Sequence, residues 1–371
     1  MTTTRGLEGV VATTSSISSI VNDVLTYRGY NIDDLAENAS FEEVIYLLWN
    51  DKLPNKQELD QFSAKLAEDA VIPEEIINQI KSYPSDKVSP MAALRTAVST
   101  LALYDEEADD MSEEANYRKA IRLQAKIPTV VTTFSRIREG KEPISPKKDL
   151  SFAANFLYTL NGEMPEEVAV TAVNKALVLH ADHELNASTF TGRVCVATLS
   201  DIYSGVTSAI GALKGPLHGG ANERVMKMLS EIGSEENVES YLHNAFEKKE
   251  KIMGFGHRVY KTGDPRAKHL KEMSRKLTEL TGETKWYEMS VKMEQVVRDE
   301  KGLPPNVDFY SASVYHSLGI AHDLFTPLFA VSRVSGWIAH ILEQYSNNRL
   351  IRPRAEYVGA TNQSYVSVEN R

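Results

Sequence analysis

Three short segments of this 371-residue chain each place an ionisable side chain in a turn punctuated by glycine or proline: His218, His257 and Asp308. The segments are Gly215–Asn222, Gly254–Arg266 and Pro305–Ser311. Glycine lets a backbone approach a ligand closely and adopt dihedral angles that other residues cannot. Two histidines and one carboxylate mounted in this way supply two proton donors and one base. That is the minimum set for removing a proton beside a carbonyl group.

The position of His218 predicts a neutral imidazole. The residue comes just before a predicted helix that begins near Asn222. Its ring should therefore lie near unpaired backbone N–H groups at the positive end of the helix dipole, where the pKa of an imidazole is lowered. A neutral ring could donate a hydrogen bond to a carbonyl oxygen and to the enolate formed from it. The alternative is a histidine that only caps its helix.

His257 and Arg266 share the second segment and lie nine residues apart. Because arginine binds carboxylates through two parallel hydrogen bonds, the pair predicts a site for a carbonyl next to a carboxylate. Asp264, directly before a proline, is interpreted as a turn-forming residue. Asp308 follows in a proline-led loop between two apolar residues, where partial desolvation would make it a stronger base. The alternative for Asp308 is again a turn residue.

The run His180-Ala-Asp-His183-Glu184 invites a metal-binding interpretation, because residues three apart share a helix face. It does not fit the zinc patterns His-Glu-x-x-His or His-x-x-Glu-His, and no cysteine lies nearby. We interpret His180 as a hydrogen-bonded core residue and His183, one turn on, as a ligand contact. A metal-binding scaffold is the weaker alternative. The single cysteine, Cys195, is predicted to be buried and structural.

The charge distribution indicates a small anionic ligand. The formal net charge of −10 argues against nucleic acid as a partner, because phosphate binding needs a basic surface. Residues 248–276, however, hold ten Lys or Arg against three acids, and they contain the Gly-Phe-Gly-His turn. This placement favours a polyanionic small molecule. The alternative is a solvated helix face.

Helical patterns dominate, so we predict a mainly α protein. Helices are predicted over Phe41–Leu48, Glu58–Ala70, Glu74–Ser82, Pro165–His180, Asn222–Leu229 and Phe325–Ser346. The last of these is almost entirely apolar and should be buried. The main β candidate is Gly9–Thr14, and residues 105–110 and 143–148 are expected to be exposed connections.

The length predicts two domains. The composition changes near Gly219, and the apolar helix from Phe325 is expected to return to the first domain. We therefore predict a large helical domain of residues 1–219 and 323–371 with an inserted small helical domain of residues 220–322. Such an insertion leaves a cleft for ligands between the two domains.

No uncharged apolar run reaches the length of a membrane helix, and the first residues lack the layout of a signal peptide. One cysteine excludes an internal disulfide and suits a reducing compartment. These features predict a cytoplasmic protein with no membrane partner.

Seven segments, in the family's own order, make the chain resemble the citrate synthase family. They are Gly6–Val10, His180–Ser188, Gly215–Gly219, Gly254–Arg266, Pro305–Phe309, Val331–Arg333 and Ile351–Pro353. Because they run from the N-terminus almost to the end, the resemblance is far more specific than any one motif. It implies an almost wholly helical fold, with a large and a small domain around the active site.

The resemblance implies an acyltransferase that condenses acetyl-CoA with oxaloacetate and hydrolyses citryl-CoA to citrate and CoA, the entry step of the tricarboxylic acid cycle. By matching position, Asp308 would take a methyl proton from acetyl-CoA. His218 would polarise the thioester carbonyl and stabilise the enol or enolate, and His257 would polarise the ketone of oxaloacetate. These roles agree with those inferred above from the residues alone.

The other matched positions concern binding. The residues implied to hold the substrate carboxylates are His183, Arg266, Arg333 and Arg352, with Arg352 reaching across from the partner subunit. Ser188 matches the serine that orients the His218 ring. The match is looser for coenzyme A, for which Lys251, Lys261 and Lys301 are candidates.

The resemblance further implies a homodimer with shared active sites, a coenzyme A thioester as co-substrate, no tightly bound cofactor and no metal. The extra N-terminal segment of longer, NADH-inhibited bacterial forms is not recognised, so we do not expect that regulation. Two alternatives stay open. One is a 2-methylcitrate synthase that uses propionyl-CoA, whose extra methylene is worth only about 1–3 kcal/mol. The other is a non-catalytic acyl-CoA-binding protein, which would have no need of a base.

Overall fold

The computed structural model of the chain describes residues 5–7, 9–257 and 259–371. Glu8 and Arg258, which fall within two of the matched segments, lie outside the described residues, as do residues 1–4. The described part contains sixteen α-helices and one small sheet, which confirms the mainly α prediction. No helix of that part combines the length and the apolarity needed to cross a membrane.

The helices are numbered in chain order. They are α1 (Ile32–Asn38), α2 (Phe41–Asn50), α3 (Lys56–Asp69), α4 (Glu74–Lys81), α5 (Pro90–Leu101), α6 (Glu113–Arg138), α7 (Phe152–Asn161), α8 (Glu167–His180), α9 (Ala187–Val196), α10 (Ile202–Leu213), α11 (Ala221–Ile232), α12 (Val238–Glu247), α13 (Ala267–Thr281), α14 (Lys285–Lys301), α15 (Val307–Ser317) and α16 (Phe325–Ser346).

The predicted helices α2, α3, α4, α8, α11 and α16 are confirmed, with ends that differ by a few residues at most. Local chemistry explains several of the ends. Ser40 and Asn55 each form a capping box at the start of α2 and α3, in which a glutamate three residues on completes the pair of hydrogen bonds. Gly233 ends α11 with a positive φ, as a residue without a Cβ can.

The predicted strand at Gly9–Thr14 is wrong. Residues 10–14 form no strand, and the antiparallel sheet lies further along the chain, in β1 (Ser18–Val21), β2 (Val24–Tyr27) and β3 (Tyr30–Asn31). Valines favour strands only where a partner strand supplies the hydrogen bonds, and Val11 is instead 86% exposed. The real hairpin turns at Asn22–Asp23, both of which have positive φ, as the tight turn between β1 and β2 requires.

The apolar helix α16 lies at the centre of the molecule, as its composition predicts. It packs against α2, α6, α8, α9 and α10, and Trp337 and Ile338 on it are almost completely buried. A second group of helices, α11 to α15, makes contacts within itself, chiefly between α13 and α15 and between α11 and α15. Most candidate site residues lie in loops that connect helices, and the others lie on helices such as α9, α15 and α16.

The two predicted connections differ in character. Residues 143–148 have no regular structure, as predicted. Residues 105–110 form turns, but Asp105 is not a free surface residue, because its carboxylate bonds both Arg122 and the hydroxyl of Tyr203.

Candidate functional site

His218 lies in the turn between α10 and α11, and Ser188 holds its ring. Nε2 of His218 is 3.2 Å from the backbone nitrogen of Ser188 and 2.7 Å from its hydroxyl oxygen. A backbone N–H can only donate, so Nε2 accepts and the proton of the neutral ring sits on Nδ1. The hydroxyl of Ser188 in turn accepts the indole N–H of Trp337 at 3.0 Å. Ser188, which is fully buried, therefore sets both the orientation and the tautomer of His218.

His218 is neutral, as predicted, but the physical cause differs in part. Burial lowers its pKa to about 4, and the positive charge of Arg333 adds to the shift. The helix N-terminus that faces the ring belongs to α9, in which Ser188 is the second residue, and not to α11. The correction follows from packing, because α10 lies along α9 and brings the following turn back to the start of that helix.

His257 is also fixed as a neutral donor. Its Nδ1 accepts hydrogen bonds from the backbone N–H groups of Val259 at 3.0 Å and Tyr260 at 3.4 Å. The proton is therefore on Nε2. Burial lowers the pKa of His257 to about 4, with a further contribution from the positive charge of Arg266.

A short backbone pairing brings the His257 segment to the loop before Asp308. Two backbone hydrogen bonds, of 2.9 and 2.8 Å, join residues 254–256 to residues 304–306, around an isolated antiparallel bridge. Gly254 makes this possible. Its φ is +83°, and a Cβ there would lie within 3 Å of side chains on α11 and α15.

Asp308 lies in the first turn of α15 and not in a loop, which corrects the prediction for its setting. Burial raises the pKa of its carboxyl to about 6, Arg266 and Arg333 oppose the shift, and Asp264 reinforces it. No donor among the described residues bonds this carboxylate. Asp308 is thus a half-buried carboxylate of raised pKa, ionised at neutral pH and more basic than an ordinary aspartate.

Arg266 and Asp264 form a buried ion pair that also reaches α15. The guanidinium donates to both carboxylate oxygens, Nε to Oδ1 at 2.9 Å and Nη2 to Oδ2 at 2.8 Å. The second oxygen also accepts the backbone N–H of Val307, the residue before Asp308. Asp264 forms a turn, as predicted, but it also ties the arginine to the helix that carries the candidate base. Sequence reasoning missed this role, although a carboxylate two residues before an arginine is a usable signal for it.

His183 lies between α8 and α9, close to His257. The two ring centroids are 5.1 Å apart. Nε2 of His183 is 3.0 Å from the hydroxyl of Tyr260, whose ring also lies against His257 with a centroid separation of 4.6 Å. Burial lowers the pKa of His183 well below its usual value, and Arg266 and Arg333 add to the effect. Tyr260 was not singled out from the sequence, and no motif pointed to it.

Arg333 projects from α16 and is almost completely buried. Its Nε donates to the backbone carbonyl of His180 at 2.7 Å, and its guanidinium lies over the ring of Phe329 at 4.6 Å. Its terminal nitrogens make no hydrogen bond to any described residue. Burial lowers the pKa of Arg333 to about 10, so it is still charged at neutral pH, and its charge acts on His183, His218 and Asp308.

The structure does not bring every predicted site residue together. Arg352 is exposed in the segment after α16 and makes no hydrogen bond or ion pair with the residues of the cluster just described. Of the three lysine candidates, Lys251 and Lys261 are exposed, and Lys301 is exposed with its Nζ 4.2 Å from the ring centroid of Phe246. All three flank the His257 and Asp308 segments in sequence, but none contacts His218, His257 or Asp308.

His180 is a core residue, as interpreted. It is fully buried, its Nδ1 lies 2.7 Å from the carbonyl oxygen of Ala176, and burial lowers its pKa to about 3. Within the described ranges, no three His, Cys, Asp or Glu side chains are placed to share a metal ion. Cys195 is half-buried, so the prediction of a buried cysteine is wrong, because α9 turns that residue partly to solvent.

The assembled cluster can perform one type of chemistry well. Two neutral histidines present N–H donors from opposite tautomers, and the basic carboxylate is influenced by the same two arginines that act on them. The buried guanidinium groups of Arg266 and Arg333 supply positive charge for anionic oxygens. The terminal nitrogens of Arg333 are not hydrogen-bonded to any described residue. This set suits removal of a proton beside a carbonyl, stabilisation of the enolate and its addition to a second carbonyl on a di-acid.

Comparison with known proteins is consistent with this chemistry. Residues 6–354 match the family model described as citrate synthase, C-terminal domain. Over 371 residues, all of both chains, the sequence is 72% identical to citrate synthase 2 of Bacillus subtilis (strain 168). It is also 42% identical over 376 residues to 2-methylcitrate synthase 1 of Corynebacterium glutamicum, covering 99% of this chain and 98% of the other.

The fold has a close solved counterpart. It superposes with a TM-score of 0.93 on the citrate synthase of Thermoplasma acidophilum, solved as a ternary complex with carboxymethyl coenzyme A and oxaloacetate. The two chains are 37% identical, and the match covers 98% of each.

Proposed function

This chain belongs to the citrate synthase family, and we propose that His218, His257 and Asp308 carry its condensation of acetyl-CoA with oxaloacetate. The observation that carries this assignment is the protonation state of the three groups. Asp308 is a carboxylate of raised pKa, while both histidines are neutral donors. A protein that only bound acyl-CoA would have no use for such a base, so we do not favour that alternative.

The first step is enolisation. Asp308 removes a proton from the methyl group of acetyl-CoA, and Nδ1–H of His218 donates to the thioester oxygen as negative charge develops there. A donor placed in advance lowers the barrier because it need not reorganise during the reaction. The bonds from Ser188 to Nε2 of His218 support this assignment, since they leave Nδ1 as the protonated atom.

The second step is carbon–carbon bond formation. The enolate carbon attacks the ketone of oxaloacetate, and Nε2–H of His257 donates to the ketone oxygen as it becomes an alkoxide. The product, citryl-CoA, is then hydrolysed by water to citrate and CoA. Arg266, Arg333 and His183 hold the carboxylates of oxaloacetate, and the positive charge of the two arginines supports that assignment.

The chain works as a homodimer in which Arg352 completes the partner's site. Arg352 follows α16 at the start of a stretch, residues 352–366, that has no helix or strand, is exposed and carries large apolar side chains. Tyr357 is 73% exposed and Val358 is 92% exposed. Such side chains are suited to packing against a second copy of the chain. The phosphates of coenzyme A are assigned to Lys251, Lys261 and Lys301, whose exposed ammonium groups flank the site segments.

The molecule divides into a large domain, residues 1–219 and 323–371, and a small domain, residues 220–322. The contacts among α11 to α15 support this division. Under it, His218 and Arg333 belong to the large domain, whereas His257, Arg266 and Asp308 belong to the small one. Closure of the cleft would therefore assemble the site and exclude water from the enolate.

The test of function is turnover of oxaloacetate with acetyl-CoA or propionyl-CoA, followed through release of the free thiol. We expect acetyl-CoA to be the better substrate by kcat/KM. A preference for propionyl-CoA would favour the second candidate, a 2-methylcitrate synthase, whose named relative shares 42% identity with this chain. Absence of thiol release with both substrates would overturn the assignment of His218, His257 and Asp308.

A further inference from the structure

Tyr260 links the two histidines of the oxaloacetate side of the site. Its side chain is 4% exposed, and its ring lies 4.6 Å from that of His257 and 5.5 Å from that of His183, measured between centroids. Its hydroxyl oxygen is 3.0 Å from Nε2 of His183. The guanidinium carbon of Arg266 lies 5.9 Å from its ring centroid. One aromatic side chain thus contacts three of the groups assigned to oxaloacetate.

The direction of the hydrogen bond to His183 follows from burial. Burial raises the pKa of Tyr260, so the phenol keeps its proton. Among the described residues, Nε2 of His183 is the only hydrogen-bond partner of the hydroxyl. If His183 donated instead, the buried phenol proton would be left without an acceptor, which is costly. The hydroxyl therefore donates, Nε2 accepts, and the proton of neutral His183 is on Nδ1.

We infer that Tyr260 is a positioning residue for oxaloacetate, because its hydroxyl keeps the proton of His183 on Nδ1 and its ring supports His257. A neutral imidazole has one donor only. If both tautomers of His183 were populated, part of the enzyme would have a lone pair on Nδ1, and that fraction could not donate to a carboxylate from that atom. This inference rests on the proposed role of His183 in holding oxaloacetate.

The variant Tyr260→Phe distinguishes the effect of the hydroxyl group from the effect of the aromatic ring. The variant keeps the aromatic contact with His257 and Arg266 and loses only the bond to His183. We expect the KM for oxaloacetate to rise about 2- to 12-fold, the range for one lost hydrogen bond, while kcat changes by less than about twofold. Tyr345→Phe is the matched control, because its half-buried hydroxyl bonds the carbonyl of Ser200 far from the site. It should leave both constants unchanged.

A double-mutant cycle tests whether Tyr260 acts through His183. In a His183→Ala background, Tyr260→Phe should no longer raise the KM for oxaloacetate. The same rise in that background, or no rise in the wild-type background, would overturn the inference. His183→Ala alone tests the proposed function separately: if it leaves the KM unchanged, the assignment of His183 fails whatever Tyr260 does.

A measurement on the unsubstituted protein guards against a variant that folds poorly. In protein labelled with ¹⁵N-histidine, the signal absent from His183→Ala belongs to His183. We expect its nitrogen shifts at neutral pH to show a protonated Nδ1 and an unprotonated Nε2. A protonated Nε2 would show that His183 is the donor and would overturn the inference.

Discussion

The backbone N–H of Ser188 points at Nε2 of His218 across 3.2 Å, and this contact determines which nitrogen of the histidine carries the proton. The hydroxyl of the same residue lies 2.7 Å from Nε2. Since the amide can only donate, both contacts leave the ring proton on Nδ1. Ser188 is in the first turn of α9, so the orientation of His218 depends on a helix residue thirty positions earlier in the chain.

Ser188→Ala should lower kcat and leave the KM for oxaloacetate nearly unchanged. The variant keeps the amide donor and loses the hydroxyl contacts with Nε2 of His218 and with the indole N–H of Trp337. The lost bond to His218 is worth about 0.5–1.5 kcal/mol, so kcat is expected to fall about 2- to 12-fold. Steady-state kinetics measure it. Ser230→Ala is the control, because its hydroxyl bonds only the carbonyl of Met226 within α11. An unchanged kcat would show that the amide alone positions His218.

The rate should depend on the ionisation of Asp308. Burial raises the pKa of this base to about 6, and only the ionised form can accept a proton, so kcat/KM for acetyl-CoA should fall tenfold per pH unit below about 6. Asp308→Ala should lower kcat by a factor on the order of 10²–10⁴ and should remove this fall at acidic pH, the acid limb of the pH–rate profile. Asp299 is exposed on α14, so Asp299→Ala should change neither kcat nor the dependence of the rate on pH. A limb centred near pH 4 would argue that Asp308 is not desolvated in the working enzyme.

The same shift has a consequence for stability. The pKa of Asp308 is raised from 3.8, its value in the unfolded chain, to about 6 in the folded state. Its contribution to the free energy of unfolding is therefore fully favourable below about pH 4 and is lost as the pH rises through about 6. Asp308→Asn should therefore stabilise the protein at pH 7.5 by on the order of 1–3 kcal/mol, measured by denaturant unfolding. Lower stability than the wild type at that pH would contradict the expected cost of burying the carboxylate.

His257→Gln and Arg266→Lys should have different kinetic effects. The first keeps some hydrogen bonding but removes the imidazole donor, so it should mainly lower kcat. The second keeps the charge but loses the two-pronged contact with Asp264, so it should mainly weaken the binding of oxaloacetate. Steady-state constants for both variants, with a direct binding measurement for oxaloacetate, distinguish the two. The reverse pattern would exchange the proposed roles.

Arg352 should act on the partner's site. Mixing Asp308→Ala subunits with Arg352→Ala subunits should restore activity to about a quarter of the wild-type level, because half of the dimers are mixed and each mixed dimer has one intact site. Refolded single variants are the control and should stay nearly inactive. If Arg352 serves its own subunit, every site keeps one defect. A mixture that stays inactive after subunit exchange has been verified would then exclude the shared site.

Local patterns in the sequence predicted six of the sixteen helices of the described residues, together with the three site segments. The apolar composition of Phe325–Ser346 predicted the buried helix α16 with the ends that are observed. His218, His257 and Asp308 were recognised because their glycine and proline neighbours are local signals. Helix periodicity and turn chemistry depend on residues only a few positions apart, which is why the sequence alone sufficed for them.

The tertiary structure decided how those residues work. The pairing of residues 254–256 with 304–306 and the reach of Asp264 to Val307 join segments some fifty residues apart. The contacts of Ser188 with His218 and of Tyr260 with His183 also join residues that are distant in the sequence, 30 and 77 positions apart. Tautomers and pKa shifts depend on which groups surround a ring or a carboxylate and on how much water they exclude. These neighbours come from distant parts of the chain, so only folding brings them together.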